Sequence, residues 1–265
     1  MAERSIYDGE KQEAAISTES LATRLKINAA FASVDFNDWL FERLAVRPGE
    51  DVLDLGCGNG AQSLPFLEKV GPDGSVSALD LSESSVEELK AKAPAGAPLT
   101  AVAADMADLE SVIDDVFPTK RYDLAHSSYA LYYSVDRSQV LDVMRTHLKP
   151  GGRCAVFTPN APHGLVEFAA RFHSVQEEIY ECFRFGPEVL KPYFDANFDS
   201  VEVHHFHNRV RLPDVDTLME FYSATTYYDA GTADAFRAEA DRIVADAGAF
   251  EYEKNGYLIV GRVPG

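Results

Sequence analysis

The sequence predicts an α/β fold built on a parallel sheet, and three observations carry that expectation. From about residue 50 to 160 short apolar runs alternate with amphipathic stretches. A glycine-rich turn, Gly56-Cys-Gly-Asn-Gly60, joins the first run to the helix after it. Acidic residues stand at the carboxyl ends of three successive runs, Asp54, Asp80 and Asp105.

Asp51–Leu55 reads as the first strand and Gln62–Val70 as the helix that follows it. Gly71-Pro-Asp-Gly74 is a turn. Ser75–Leu81 is a second strand. Ser82 or Ser84 then caps a helix to Ala93, with Ser84 and Glu87 fitting a capping box. Leu99–Ala104 is a third strand, Asp108–Phe117 a helix, and Tyr122–Ser127 a fourth strand opening onto an aromatic loop. Ser138–His147 is a helix stopped by Lys149-Pro-Gly-Gly152, and Arg153–Thr158 is a fifth strand. Past Pro159-Asn160-Ala-Pro162 the rhythm becomes helical, over Leu165–Cys182 and Pro187–Ala196. A strand over Ser200–Arg211, helices over Asp214–Thr226 and Thr232–Ala247, and a last strand over Tyr257–Arg262 complete the chain. Glu13–Ala45 reads as two helices that fold over the carboxyl ends of the strands.

The 265 residues, 46% of them hydrophobic, suit one domain with insertions. Its expected parts are an N-terminal helical lid (1–45), a cofactor-binding core (47–158), a helical insertion over the acceptor site (159–197) and C-terminal strands and helices completing the sheet (198–265). No run is long and apolar enough to span a membrane and the N-terminus lacks a signal-peptide pattern, so the expected location is the cytoplasm. Three widely spaced cysteines, Cys57, Cys154 and Cys182, suggest neither a disulfide framework nor a zinc site. The net charge of −19 repels phosphate backbones and anionic lipid, which disfavours nucleic acid and membrane as partners.

Gly56-Cys-Gly-Asn-Gly-Ala61 also matches a dinucleotide fingerprint, which keeps a nicotinamide or flavin enzyme open. The acids separate the readings. A pyrophosphate at this loop favours glycines and a helix N-terminus without a carboxylate beside them. Asp54, two residues ahead of Gly56, suits S-adenosylmethionine better, whose ammonium, sulfonium and ribose diol a carboxylate favours. Asp80 can accept from ribose hydroxyls in either cofactor, and Asp105 with Met106 can meet an adenine edge.

Val52-Leu-Asp-Leu-Gly-Cys-Gly-Asn-Gly60, Ala78-Leu-Asp-Leu-Ser82, Ala104-Asp-Met106, Tyr122-Asp-Leu-Ala-His-Ser-Ser128 and Leu148-Lys-Pro-Gly-Gly152 together resemble class I S-adenosylmethionine-dependent methyltransferases of the small-molecule type, over about residues 47–158. The resemblance implies a seven-stranded Rossmann-like sheet of order 3-2-1-4-5-7-6 with strand seven antiparallel. Carried over by motif, Asp54 and the loop of Gly56, Cys57, Gly58 and Gly60 meet the methionine end. Asp80 meets the ribose and Asp105 with Met106 the adenine, with Leu81 and Ser127 also counted in the donor site.

The acceptor side is less specific. Tyr129, Tyr132 and Tyr133 follow strand four and either form an aromatic wall beside the sulfonium or pack against the sheet. Methyl transfer is an in-line displacement that needs a base only for a protonated nucleophile, and His163 and His126 are the candidates, with Tyr129 beside them. His173 is a weaker one. His204-His-Phe-His207 alternates faces on a strand, so three ligands cannot converge from it, and no metal is expected. Phe168, Phe172, Phe183, Phe185, Tyr193, Phe194, Phe221, Tyr222, Tyr227 and Tyr228 either roof an apolar acceptor pocket or form the cores of lid helices. The expected activity is methyl transfer from S-adenosylmethionine to an O, N or C atom of a small, partly apolar or aromatic molecule. An oxidoreductase of the nicotinamide type, or a donor-binding protein with a non-methylating role, are the rivals.

Overall fold

The computed structural model describes residues 17–265; residues 1–16 of the expected lid, including the start of its first helix at Glu13, lie outside the described residues. β1 (Asp51–Leu55), β2 (Ser75–Asp80), β3 (Leu99–Ala103) and β4 (Tyr122–Ser128) pair in parallel, and β5 (Leu148–His163) continues that direction. β8 (Phe250–Arg262) runs antiparallel to β5, and β6 (Ser200–Phe206) antiparallel to β8. The sheet order is β3-β2-β1-β4-β5-β8-β6, with β7 (Arg209–Leu212) paired to the first part of β8. This is the order expected from the sequence, with one short extra strand ahead of the last.

Strands covered on both faces are apolar on both, and that is what lets helices pack in two layers. α2 (Phe36–Leu44), α3 (Ser63–Val70) and α4 (Glu83–Lys92) cover one face through Leu40, Phe66 and Leu89. α5 (Leu109–Asp115), α6 (Arg137–Thr146) and α9 (Lys191–Asn197) cover the other through Ile113, Met144 and Phe194. A third core joins α1 (Thr18–Phe31), α7 (Gly164–Ala169), α8 (Glu177–Arg184), α10 (Val215–Ser223) and α11 (Ala233–Ala247) to β7 and the start of β8. Each fully buried Leu or Phe in these layers contributes about 1.5–3 kcal/mol. Cys57, Cys154 and Cys182 are buried free thiols. No helix among the described residues is long and apolar enough to cross a membrane.

Several expected boundaries shift for identifiable reasons. Ser82, not Ser84, caps α4: its Oγ accepts from the Ser85 N–H, while Ser84 lies inside the helix and meets Ser82 Oγ at 3.1 Å. β5 runs past Thr158 to His163, and β8 starts at Phe250 rather than Tyr257, because the two pair beyond Asn160 and bring His163 opposite Lys254. The helix expected over Leu165–Cys182 is two, α7 and α8. The one expected from Pro187 is entered through a π turn, Phe185–Leu190, where Pro187 and Pro192 supply no N–H to a regular helical ladder. The Ser200–Arg211 run breaks after Phe206, where Asn208 turns its side chain to the backbone of the α1–α2 connection.

Asn208 fixes the N-terminal helices over the carboxyl ends of the strands. Its Oδ1 accepts from the Ser33 N–H and Oγ, both at 3.1 Å, and from the Val34 N–H at 3.3 Å. At the other end of the roof, Asn37 Nδ2 donates to the Ala61 carbonyl and Gln62 Nε2 donates to Asn37 Oδ1, each at 2.9 Å. Asn208→Ala leaves the Val34 N–H unpaired and is expected to lower unfolding free energy by about 1–3 kcal/mol. Amide hydrogen exchange in residues 18–36 should quicken more than in the sheet; unchanged exchange there would remove Asn208 as the anchor.

Candidate active site

The glycine turn is shaped by contacts that leave no room for side chains. Gly56, at φ 71°, would place a Cβ 2.0 Å from the Ala130 Cβ, and its N–H donates to the Leu79 carbonyl at 2.7 Å. Gly58, at φ 50°, donates its N–H to Asp80 Oδ2 at 2.7 Å. The second Asp80 oxygen accepts from the Ser82 N–H at 2.9 Å. Burial raises the Asp80 pKa, and the Ser82 and Gly58 N–H groups offset only part of the rise. Asp80 is held at the mouth of β2 by the two N–H groups of the loop it curls.

Asp54 does not face that mouth. It lies opposite His126 in the β1–β4 register, and the period of two puts Asp54, His126 and Ser128 on the face covered by α3. Ser63 Oγ donates to Asp54 Oδ2 at 2.5 Å, Asp54 Oδ1 meets His126 Nδ1 at 2.8 Å, and His126 Nε2 meets Ser128 Oγ at 2.8 Å. With an ionised Asp54 the proton order is fixed: Nδ1–H donates to the carboxylate, the Ser128 hydroxyl donates to Nε2, and Ser128 Oγ keeps lone pairs for the cavity. The Phe66 ring meets the imidazole edge-on, 5.1 Å between centroids. Both His126 nitrogens are thus engaged, and its expected direct role on an acceptor is not what the structure arranges.

A cavity of about 500 Å³ opens above the carboxyl ends of β1, β2 and β4. It brings together Gly56, Cys57, Gly58, Asp80, Leu81, Asp105, Met106 and Tyr129 of the sequence candidates. Asp54, Gly60, Ser127, His126 and His163 are not among its lining residues. Ser127 points to the opposite face from Ser128, and Gly60 packs on Leu89. His163 ends β5 buried, its ring stacked on Phe183 at 5.5 Å and its Nδ1 without a partner among the described residues. His173 bonds Tyr222 Oη at 3.0 Å, away from the cavity.

At the end lined by Asp80 and Met106, Asp105 accepts from the Ala107 N–H at 2.9 Å and Leu81 is 45% exposed. The other end is aromatic. Tyr129 sits at φ 56°, a strained position for a residue with a Cβ, and its ring packs on Phe157 and Phe36 at 4.8 and 5.5 Å. Tyr132 and Tyr133 both line the cavity, Tyr132 with most of its side chain buried in the core beneath. None of residues 159–197 lines the cavity; α1, the start of α2, Phe206 and Asn208 do so instead. The aromatics of the insertion fill cores: Phe168 and Phe183 in one, Phe185 and Phe194 in another.

Sequence reading missed the two cations on this wall. Arg24 of α1 donates to Tyr133, and Lys254 Nζ lies 5.6 Å from the Tyr129 ring and 5.8 Å from that of Phe221. Burial pushes the Lys254 pKa down to about 7, with the Arg24 charge adding to the effect. Among the described residues no group of three or more His, Cys, Asp or Glu is placed to hold a metal ion. His205 of β6 and His207 just past its end stack at 6.2 Å, while His204 approaches Glu202.

The expected methyl donor fits this donor set. A nucleoside diol finds a carboxylate at Asp80, and a cationic amino-acid end finds the Ser128 oxygen backed by a buried acid. A pyrophosphate fits poorly, since the Gly58 N–H it would seek is already taken by Asp80.

Comparison with known proteins agrees. The methyltransferase-domain family matches residues 47–206. Nocamycin O-methyltransferase of Saccharothrix syringae is 34% identical over 130 residues, 49% of this chain and 45% of that protein. Demethylmenaquinone methyltransferase of Listeria monocytogenes is 28% identical over 179 residues, 65% of this chain and 70% of that protein. This chain thus spans about half the length of the nocamycin enzyme. The crystal structure of an S-adenosylmethionine-dependent methyltransferase from Thiobacillus denitrificans, in complex with S-adenosylhomocysteine, superposes with a TM-score of 0.54 at 18% identity, covering 97% of this chain and all of that one. That likeness is one of fold.

Burial, and then the Lys254 charge, push the His163 pKa down to about 3. An ordinary histidine titrates near 6.5, so below that pH the unfolded chain takes up a proton that the folded one refuses. Stability should fall by up to about 2 kcal/mol between pH 7.5 and pH 5 through this group alone. His163→Phe, which keeps the stack on Phe183, should lose less over that interval in urea titrations; equal losses would show that His163 is not held neutral.

Proposed function

The chain belongs to the S-adenosylmethionine-dependent methyltransferase family, and on that premise we propose that it methylates a small, partly apolar organic molecule held in the cavity above β1, β2 and β4. The observation that carries this reading is the continuity of that cavity: a nucleoside-sized end bounded by Gly58, Asp80, Leu81, Asp105 and Met106 runs into an aromatic end bounded by Phe36, Tyr129 and Tyr133. The relatives' names point the same way, toward small organic acceptors.

When bound, the donor supplies a methyl carbon on a sulfonium; an acceptor lone pair bonds that carbon as its bond to sulfur breaks, and sulfur keeps the electron pair as a neutral thioether. The chain's own work is placement. Asp80 takes the ribose hydroxyls with the lone pairs that Gly58 and Ser82 leave free. Asp105 and the backbone at Met106 take the adenine edge, and Leu81 lies against its face. Ser128, polarised through His126 by Asp54, accepts from the ammonium, so Asp54 acts at second hand. The Tyr129 ring, fixed by Phe36 and Phe157, bounds the space where methyl and acceptor align, and its face tolerates the cationic sulfur. The roof of α1 and α2 keeps water out.

Two measurements test the reading. Asp80→Ala should weaken S-adenosylhomocysteine binding by about 1–3 kcal/mol, 5- to 150-fold in Kd; unchanged affinity would take Asp80 off the ribose. A panel of small acids, phenols and amines, read by S-adenosylhomocysteine release, should contain substrates. Donor binding with no release from any of them would favour a donor-binding protein that does not methylate.

A further inference from the structure

Arg24 and Lys254 reach the aromatic end of the cavity from different walls, Arg24 from α1 in the roof and Lys254 from β8. They are close enough for the Arg24 charge to bear on the Lys254 ammonium. Neither has a carboxylate within ion-pair distance among the described residues, whereas Lys26, two positions from Arg24, reaches Glu220 at 3.5 Å. The acids of the cavity are engaged elsewhere: Asp80 with Gly58 and Ser82, Asp105 with Ala107, and Asp35 with the Asp38 N–H at 2.8 Å. In a chain with 43 acidic and 24 basic residues, two cations set together against tyrosine rings without an acid are a costly arrangement unless an anion arrives between them.

We propose that Arg24 and Lys254 clamp an anionic group of the methyl acceptor, and that the acceptor is an apolar or aromatic carboxylic acid in its ionised form. The proposal rests on the methyltransferase reading, since it assigns the part of the cavity that the donor leaves open. The planar guanidinium presents paired donors that match the two oxygens of a carboxylate. A phosphate, with more oxygens and charge, needs further donors than a wall of Leu25, Phe36 and Phe206 offers. An acceptor that arrives ionised also suits a cavity that no histidine lines among the described residues. Burial, with Arg24 pressing the same way, lowers the Lys254 pKa to about 7, so that it carries about half a charge at pH 7 and a carboxylate between the two groups favours its full protonation.

The test is calorimetric titration of the full chain, loaded with S-adenosylhomocysteine, with three probe pairs: benzoate and benzamide, 2-naphthoate and 2-naphthamide, anthracene-2-carboxylate and its amide. At least one acid should bind tenfold or more tightly than its amide. R24Q and K254M should each cut that preference below threefold and K254R should keep it, all three binding S-adenosylhomocysteine within twofold of the parent. Acids binding no better than amides in every pair, no acid binding at all, or a preference that survives R24Q and K254M would overturn the proposal. Donor binding without an acid preference defeats the clamp alone, whereas a parent protein that fails to bind S-adenosylhomocysteine defeats the methyltransferase reading and the clamp with it.

Discussion

The hydrogen bond from the Gly58 N–H to Asp80 is the contact on which the rest of the site depends. It ties the tip of the glycine turn to the end of β2 in the wall of the cavity. It works only because Gly58 adopts a left-handed conformation and because Asp80, losing solvent to the surrounding core, needs donors to remain an anion. A carboxylate installed there makes the turn hospitable to hydroxyls and cations and inhospitable to phosphate. The same glycines without that acid would serve a dinucleotide.

A second chain of bonds runs beneath the turn, Ser63 to Asp54 to His126 to Ser128. It carries the charge of a fully buried acid to a hydroxyl at the cavity wall, and it braces β1 against β4 at the point where the sheet opens. A buried carboxylate without such partners would be costly; here both oxygens are satisfied. Two acids thus stand at different depths, Asp80 lining the cavity and Asp54 linked to it through His126 and Ser128.

Much of this was legible in the sequence. The alternation of apolar runs placed β1 to β4, and two of the three strand-end acids, Asp80 and Asp105, line the cavity. The facing of Asp54 and Ser127 was misjudged for want of register: counting by twos from the buried Val52 and Leu124 puts Asp54, His126 and Ser128 together and sends Ser127 to the other side. Lys254 was hidden because Glu251, Glu253 and Lys254 interrupt the apolar pattern of β8, which extends to Phe250 only through its pairing with β5 and β7. Arg24 sits on a helix of weak amphipathicity, and its place in the cavity comes from the Asn208 anchor 175 residues from Ser33, a contact no local pattern announces. The aromatics of 159–197 suggest a cover for the acceptor; those rings are consumed by cores shared with the sheet and the C-terminal helices, and the N-terminal helices line the cavity instead.

On the proposed reading, acids beneath and beside a glycine turn make a methyl-donor site out of a motif shared with dinucleotide enzymes. The measurement that meets it most directly is a pair of calorimetric titrations of the unmodified protein, one with S-adenosylhomocysteine and one with NADH. The account predicts S-adenosylhomocysteine binding at least tenfold tighter. Tighter binding of NADH would contradict it.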